Sequence, residues 1–148
     1  MPPGPAPSFG MRRDLIEADR VKSIAGGFYD VYNYFGYGLS ESIYTGALEL
    51  ELRERGHEVA RELRVPVTYK GRRVAWQRLD LVVDGKVIVE SKVTEKLAPA
   101  ARSQIVSYLR ASAFAVGLLL HFGPEPNFER FIDWPKRQRD TKSAVVPL

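Results

Sequence analysis

Two stretches near the start of the chain place apolar residues at the spacing of an α-helix. The first runs from Leu15 to Phe35. Gly36 is expected to end it, because glycine readily adopts the left-handed conformation of a helix C-cap. Ser40 is the predicted N-cap of a second helix, Glu41 to Arg55, which Gly56 ends. The pattern therefore predicts two helices before any strand.

After residue 56 the apolar positions change to alternation, which is the period of a half-buried β-strand. The first strand is predicted within residues 57–69, and Lys70-Gly71 turns the chain into a second strand, Val74 to Val83. Asp84-Gly85 turns it again into a third strand, Lys86 to Val93. These three strands are predicted to form a β-meander.

The second half of the chain adds one helix and one strand. Pro99 opens a predicted helix over Ala100 to Ala113, and the apolar run Phe114 to Phe122 predicts a fully buried strand. The order is helix, helix, three strands, helix, strand. We therefore predict one α/β domain of mixed α+β type, residues 13–134, with a central mixed sheet flanked by helices.

The two ends of the chain differ from this domain in composition. Residues 1–12 are predicted to be a disordered leader, since four prolines and two glycines fall within the first ten residues. Residues 135–148 are predicted to be a basic, irregular tail. The longest uncharged apolar run, Ala111 to Leu120, is half the length that a bilayer requires. We expect no membrane partner and a cytoplasmic location, because the proline-rich start is unlike a signal peptide.

Charged residues interrupt the second and third strands on one side only. The even positions include Asp80, Glu90 and Lys92. The odd positions nearest the turn are all apolar: Leu79, Leu81, Val83, Val87 and Val89. Successive side chains of a strand point to opposite faces, so the three charged residues lie on one face if the apolar sides share a core.

The turn between these strands must then have an odd number of residues. A two-residue Asp84-Gly85 turn would pair Val83 with Lys86 and place Asp80 and Glu90 on opposite faces. The simplest alternative is a three-residue loop with its glycine in the left-handed conformation. We therefore predict a three-residue loop.

A charged strand face has two interpretations. It can be a solvated face with a structural ion pair, which is common in antiparallel sheets. However, Val82 and Ile88 share this face, which predicts partial cover by a helix. Charges under such cover are unfavourable unless they are paired or bound to a metal.

Composition limits the chemistry available to such a site. The chain has no cysteine and two histidines, so a metal would be held mainly by oxygen ligands, which favours Mg²⁺ or Mn²⁺. The net charge of +4 permits a polyanionic partner.

Two motifs together resemble a known family. Asp80 with Glu90-Ser91-Lys92 resembles the motif of the PD-(D/E)XK nuclease superfamily, and Gly38 to Tyr44 (GLSESIY) fits the G-x-x-E-x-x-Y signature of its GxxExxY protein family. The likeness covers about residues 15–125. It implies a restriction-endonuclease-like α-β-β-β-α-β core and metal-dependent hydrolysis of phosphodiester bonds.

The resemblance also implies roles for individual residues. Asp80 and Glu90 would hold Mg²⁺ or Mn²⁺, with Glu41 as an additional acidic group facing the metal. Lys92 would orient the attacking water or stabilise the transition state. For Glu41 the alternative is a carboxylate that complements the dipole of its helix.

Other residues are candidates for supporting the site. Tyr44 lies one helical turn from Glu41 and is expected to pack or bond beside the site. Gln104 and Tyr108 resemble the Q-x-x-x-Y element of RecB-like nucleases, or form a polar pair on the flank of a core helix. Arg78 is expected to meet a phosphate or to pair with Asp80 or Glu41. The candidate phosphate contacts at the strand turn are Lys70, Arg72 and Arg73.

The expected function is that of a Mg²⁺-dependent nuclease that acts on nucleic acid, with DNA as the expected substrate, in repair or defence. A homodimer is compatible with this function. The alternatives are a nucleic-acid-binding module without turnover and a protein-interaction domain that uses the charged sheet face. The complete set Asp80, Glu90 and Lys92 favours the enzyme.

Overall fold

The computed structural model describes residues 15–134 and 146–147. Within them, three helices and six strands follow in the order α1 (Ala18–Phe35), α2 (Glu41–Glu54), β1 (Val59–Tyr69), β2 (Arg72–Val83), β3 (Val87–Lys92), α3 (Pro99–Ala111), β4 (Val116–Phe122), β5 (Pro126–Ile132) and β6 (Val146–Pro147). The predicted α-β-β-β-α-β core is confirmed as α2 to β4.

The strands form a single mixed sheet in the order β5-β4-β3-β2-β1-β6. The pair β3–β4 is parallel, because α3 crosses over between them, and the other pairs are antiparallel. The predicted mixed sheet with flanking helices is therefore confirmed. No helix in the described part of the chain is long and apolar enough to cross a membrane.

The two faces of the sheet carry different helices. Four odd-numbered residues of β2 and β3 are fully buried against α1 and α2 in the largest apolar cluster: Leu81, Val83, Val87 and Val89. Leu79 is also odd-numbered but joins the cluster on the other face, because the alternation of β2 shifts at Asp80, opposite the left-handed Glu62. On the other face, Val82 and Ile88 pack against Tyr108 and Leu109 of α3. The predicted helix cover over the charged face is thus present.

The structure differs from the predicted boundaries at several points. The helix α1 begins at Ala18, and α3 ends at Ala111, because Ser112 is already extended. Ser40 does occupy the N-cap of α2, but its side chain makes no capping hydrogen bond.

Two strands were not predicted. The segment before β5 is rich in glycine and proline and resembles a loop, but a proline is tolerated at the first position of an edge strand. The strand β6 pairs with Leu63 and Arg64 and lies inside the predicted irregular tail. The predicted leader, residues 1–12, and the rest of the tail, residues 135–145 and 148, lie outside the described residues.

Candidate active site

The loop between β2 and β3 sets the face on which their charged residues lie. The ladder pairs Val83 with Val87, so the loop is residues 84–86 and has three residues, as predicted. Its first two residues, Asp84 and Gly85, adopt left-handed conformations with φ of 55° and 63°. The same register places Asp80 opposite Glu90 on one face of the sheet.

The two carboxylates take over the hydrogen bonds of the ladder where it ends. The last backbone pair of β2 and β3 is Leu81 with Val89. Beyond it, Glu90 Oε1 accepts the N–H of Asp80 at 3.1 Å, and Asp80 Oδ2 accepts the N–H of Ser91 at 3.0 Å. Each carboxylate is therefore fixed against the opposite strand, and the two are held side by side.

Glu90 is the most perturbed group of this pair. Its residue is only 4% exposed, and burial raises the pKa of its carboxyl group to about 8, with a further contribution from the neighbouring Asp80 carboxylate. Lys92 acts in the opposite direction, but no described lysine or arginine lies within 4.0 Å of Glu90 as an ion-pair partner. A buried carboxylate in this position would be stabilised by a bound cation.

Glu41 reaches the same region from the first turn of α2. Desolvation raises the pKa of its carboxyl group, the charge on Asp80 raises it further, and Lys92 and Arg78 lower it. Glu41 thus lies within electrostatic range of the carboxylate pair, as expected for a residue that faces the site.

The donor set fits a metal of the Mg²⁺ type only in part. In the part of the chain that the structure describes, no three His, Cys, Asp or Glu side chains cluster closely enough to hold a metal ion. The predicted ligands Glu41, Asp80 and Glu90 are therefore not assembled as one cluster, because Glu41 sits on the exposed end of α2. Asp80 and Glu90 alone remain an adequate set, since Mg²⁺ is usually bound by one or two carboxylates together with water and substrate phosphate.

Tyr44 does not lie where the sequence predicted. Its side chain is fully buried on the α1–α2 side of the sheet, and its ring stacks on Phe122 with the centroids 4.3 Å apart. Its hydroxyl donates to the carbonyl of Gly36 and accepts the N–H of Leu39. Tyr44 therefore holds the loop that precedes α2 and fixes where this helix begins, at Glu41. It does not bond beside the carboxylates.

The helix α3 brings Gln104 and Tyr108 to the charged face. Tyr108 is 6% exposed, and burial raises the pKa of its phenol, with further contributions from Glu90 and Asp80. Gln104 and Lys92 line a cavity of about 320 Å³ whose other walls are Thr94, Leu97, Ala98, Ala100 and Ala101. Tyr108 thus lies within electrostatic range of both carboxylates, whereas Gln104 faces the cavity that Lys92 also lines.

The arginines and the lysine that were expected to bind phosphate lie along β2 and its turn. Arg78 pairs with Glu62 at 3.1 Å, and not with Asp80 or Glu41. Lys70 occupies the two-residue turn between β1 and β2, and Arg72 and Arg73 follow it, all three exposed. They are separated from the carboxylates by the length of β2.

Sequence analysis missed Glu62. It lies opposite Asp80, because its neighbours Arg61 and Leu63 pair with Leu81 and Leu79. Its backbone is left-handed, with φ of 55°. Ala60 and Leu63 on either side of it pack against the same cluster, so the alternation of β1 is interrupted here and no periodic signal could have placed Glu62.

A second polar network lies at the other end of the β2–β3 hairpin. Asp84 accepts hydrogen bonds from Arg20 Nε and from the backbone N–H of Glu58, both at 2.8 Å, and contacts His57 Nδ1 at 2.7 Å. His57 Nε2 in turn contacts the hydroxyl of Ser23 at 2.7 Å. Although the order Ser, His, Asp matches a hydrolytic triad, Ser23 lies within α1, whose N–H groups are used by the helix and cannot form an oxyanion hole. The network is structural and ties the hairpin loop to α1.

One family comparison gave a match. A family model described as the PD-(D/E)XK nuclease superfamily matches residues 18–131. Neither the comparison with curated proteins nor the comparison with solved structures gave a match. The matched region contains every element from α1 to β4 and all of the candidate site residues.

Proposed function

Since this chain belongs to the PD-(D/E)XK nuclease superfamily, we propose that it is a divalent-metal-dependent nuclease that hydrolyses DNA. The proposed catalytic residues are Asp80, Glu90 and Lys92. The observation that carries the proposal is the pair of facing carboxylates, of which Glu90 is buried and has no ion-pair partner among the described lysines and arginines. The motif Gly38 to Tyr44 supports membership of the GxxExxY family within the superfamily.

The roles proposed for the residues follow from their positions. Bound Mg²⁺ or Mn²⁺ would supply Lewis-acid chemistry and lower the pKa of a coordinated water. Asp80 and Glu90 would hold the metal, and Glu41 would add negative charge at its outer side. Lys92, on the same face two residues after Glu90, would donate a hydrogen bond to the attacking water or to the phosphate.

The residues of α3 would complete the site. Because burial raises the pKa of Tyr108, its phenol stays protonated at neutral pH and remains a hydrogen-bond donor. Gln104 would bind substrate at the mouth of the cavity that it shares with Lys92. Lys70, Arg72 and Arg73 would contact phosphates away from the cleavage point. We place this activity in the cytoplasm, in DNA repair or defence, and a homodimer is compatible with it.

Lys92→Ala tests the proposed chemistry. The purified protein is incubated with labelled single-stranded, duplex and branched DNA in the presence of Mg²⁺, Mn²⁺ or EDTA. We expect metal-dependent cleavage by the wild type and a loss of roughly two or more orders of magnitude in Lys92→Ala, the scale of removing one electrostatic stabiliser. DNA affinity should change little, since one lysine contributes a small part of many phosphate contacts.

The matched control is Lys86→Ala, which removes an exposed lysine from the loop at the opposite end of the hairpin. It should cleave like the wild type. Full metal-dependent cleavage by Lys92→Ala would show that the chemistry lies elsewhere.

A second candidate function is nucleic-acid binding without turnover. The observation that favours it is that Glu41 does not join Asp80 and Glu90 in a three-carboxylate cluster among the described residues. This candidate predicts DNA binding by the wild type with no cleavage under any divalent metal.

A further inference from the structure

Residues 64–78, which we call the arm, form the most one-sidedly charged part of the described chain. The arm contains Arg64, Lys70, Arg72, Arg73 and Arg78, and no aspartate or glutamate. From residue 66 to residue 78 no side chain is buried. Apart from Val65, which belongs to the core, the arm is therefore a cationic surface outside the core.

The arm is also a two-stranded ribbon that projects from the sheet. The strand β3 pairs only with Leu81, Val82 and Val83 of β2, so the arm segment of β2 has β1 as its sole described strand partner. From Arg78 to Arg72 the ribbon extends about 20 Å at about 3.3 Å per residue. A ribbon of these dimensions can lie along a nucleic acid.

One face of the arm carries a row of cations that ends beside the candidate site. Trp76 and Arg78 share one face of β2, Arg64 lies directly opposite Arg78, and Arg78 is two residues from Asp80 and within electrostatic range of Glu41. The guanidinium carbons of Arg64 and Arg73 lie 4.2 Å and 4.8 Å from the centre of the Trp76 ring. The cations thus form a row that leads along the ribbon to Asp80.

This row is not neutralised by its surroundings. Like charges directly opposite each other, such as Arg64 and Arg78, destabilise a sheet. Arg64 and Arg73 make no ion pair with any described residue, and Arg64 Nε has no hydrogen-bond partner there. Among the described residues, the ion-pair partner of Arg78 is Glu62, and both side chains are more than half exposed, at 53% for Glu62 and 61% for Arg78. An ion pair so exposed contributes little stability and is readily exchanged for another anion.

We infer that this face of the arm is a track for the phosphates of a polynucleotide, that it leads the strand to Asp80, and that Glu62 competes with the phosphates for Arg78. The inference rests on the proposed function only in taking nucleic acid as the substrate. Because two guanidinium groups already cover the ring of Trp76, the track binds the backbone and not the faces of bases. Binding is therefore independent of sequence and strongly dependent on salt.

Arg73→Ala and Glu62→Gln test the track, because they should change the affinity for nucleic acid in opposite directions. Affinity is measured by fluorescence anisotropy with labelled duplex and single-stranded oligonucleotides of two sequences, in EDTA, over a series of salt concentrations. Arg73→Ala should weaken binding to every oligonucleotide and reduce the slope of log K against log salt by about 1. Glu62→Gln should tighten binding by roughly two- to fivefold, the scale of an exposed ion pair.

Lys86→Ala serves as the control, because it removes one exposed positive charge far from the arm and should leave affinity and slope unchanged. An Arg73→Ala slope equal to that of the wild type, or a Glu62→Gln affinity no higher than that of the wild type, would overturn the track. These binding experiments contain no metal, so they succeed or fail independently of cleavage. Conversely, cleavage by Arg73→Ala with an unchanged KM and salt dependence would refute the track and leave the proposed nuclease intact.

Discussion

Replacing Glu90 by glutamine should stabilise the metal-free protein, although Glu90 is proposed to be essential for activity. The carboxyl group of Glu90 is buried beside Asp80, and its pKa is raised from 4.5 to about 8. Since the folded-state pKa lies above the unfolded value, the folded protein binds this proton more tightly. The contribution of Glu90 to stability is therefore fully present below about pH 4.5 and is lost as the pH rises towards 8.

The size of the effect follows from the same two pKa values. At pH 7, about 2.5 pH units above 4.5, the unfolded chain carries Glu90 ionised whereas the folded protein holds it protonated. At about 1.4 kcal/mol per unit, this proton uptake on folding lowers the stability by roughly 3 kcal/mol relative to pH 4.5 and below. Glutamine has nearly the same shape and keeps an oxygen that can accept the N–H of Asp80, but it carries no charge. We therefore expect Glu90→Gln to raise the free energy of unfolding by about 1–3 kcal/mol at pH 7. The lower end allows for the new amide group, which needs its own partner.

Urea denaturation in EDTA between pH 4.5 and pH 8.5 measures this effect. The stability gain of Glu90→Gln over the wild type should grow with pH and vanish near pH 4.5. Glu129→Gln is the matched control, because Arg102 lowers the pKa of Glu129 and the same substitution there should give no gain. A Glu90→Gln variant that is less stable than the wild type at pH 8, or whose difference does not change with pH, would refute this account of the site.

Two further predictions concern the metal and the hairpin network. Mn²⁺ should raise the melting temperature of the wild type by mass action but should have little effect on Asp80→Asn; equal shifts in both proteins would place the metal elsewhere. Asp84→Asn should lower the free energy of unfolding by about 2 kcal/mol at neutral pH. Burial raises the pKa of Asp84, but the hydrogen bonds from Arg20, His57 and Glu58 outweigh this effect and lower the pKa from 3.8 to about 2. This contribution is present above pH 4 and is lost as the pH falls towards 2, so urea denaturation curves of variant and wild type should converge there, and a difference that persists at pH 2 would contradict the assignment.

Glu90 lowers the stability of the fold and Asp84 raises it, and the two residues have different roles. The network at Asp84 ties the hairpin loop to α1 and so secures the register on which the carboxylate pair depends. At the other end of the same hairpin, the burial of Glu90 opposes its ionisation and so lowers the stability at neutral pH, and a bound cation would reverse this effect. Such a conflict between stability and activity is common at functional sites.

The order of the elements and the pairing of Asp80 with Glu90 could be predicted from the sequence because both depend on local periodicity. A period of two assigns each residue of a strand to a face, and the positions of Val83 and Val87 then require a loop of three residues. The resemblance to a nuclease family was likewise carried by short motifs, and the family model confirms it at the level of the superfamily.

Other features depended on contacts between residues far apart in the sequence. The spacing of Tyr44 from Glu41 places both on one side of α2, but only the packing of α2 against Phe122 of β4 decides that this tyrosine enters the core. The ion pair between Arg78 and Glu62 depends on the register of β1 against β2. The periodicity of a single strand does not determine that register.

The sequence by itself determined which residues alternate, where the helices and most of the strands lie, and which charged residues share a strand face. Tertiary structure decided that Glu90 is buried, that Glu41 remains outside the carboxylate pair, and that Arg64 and Arg73 lie against the ring of Trp76. The physical reason is that periodicity is set by the backbone geometry of neighbouring residues. Burial and the electrostatic consequences that follow from it are set by which elements pack together, and that packing is a property of the whole chain.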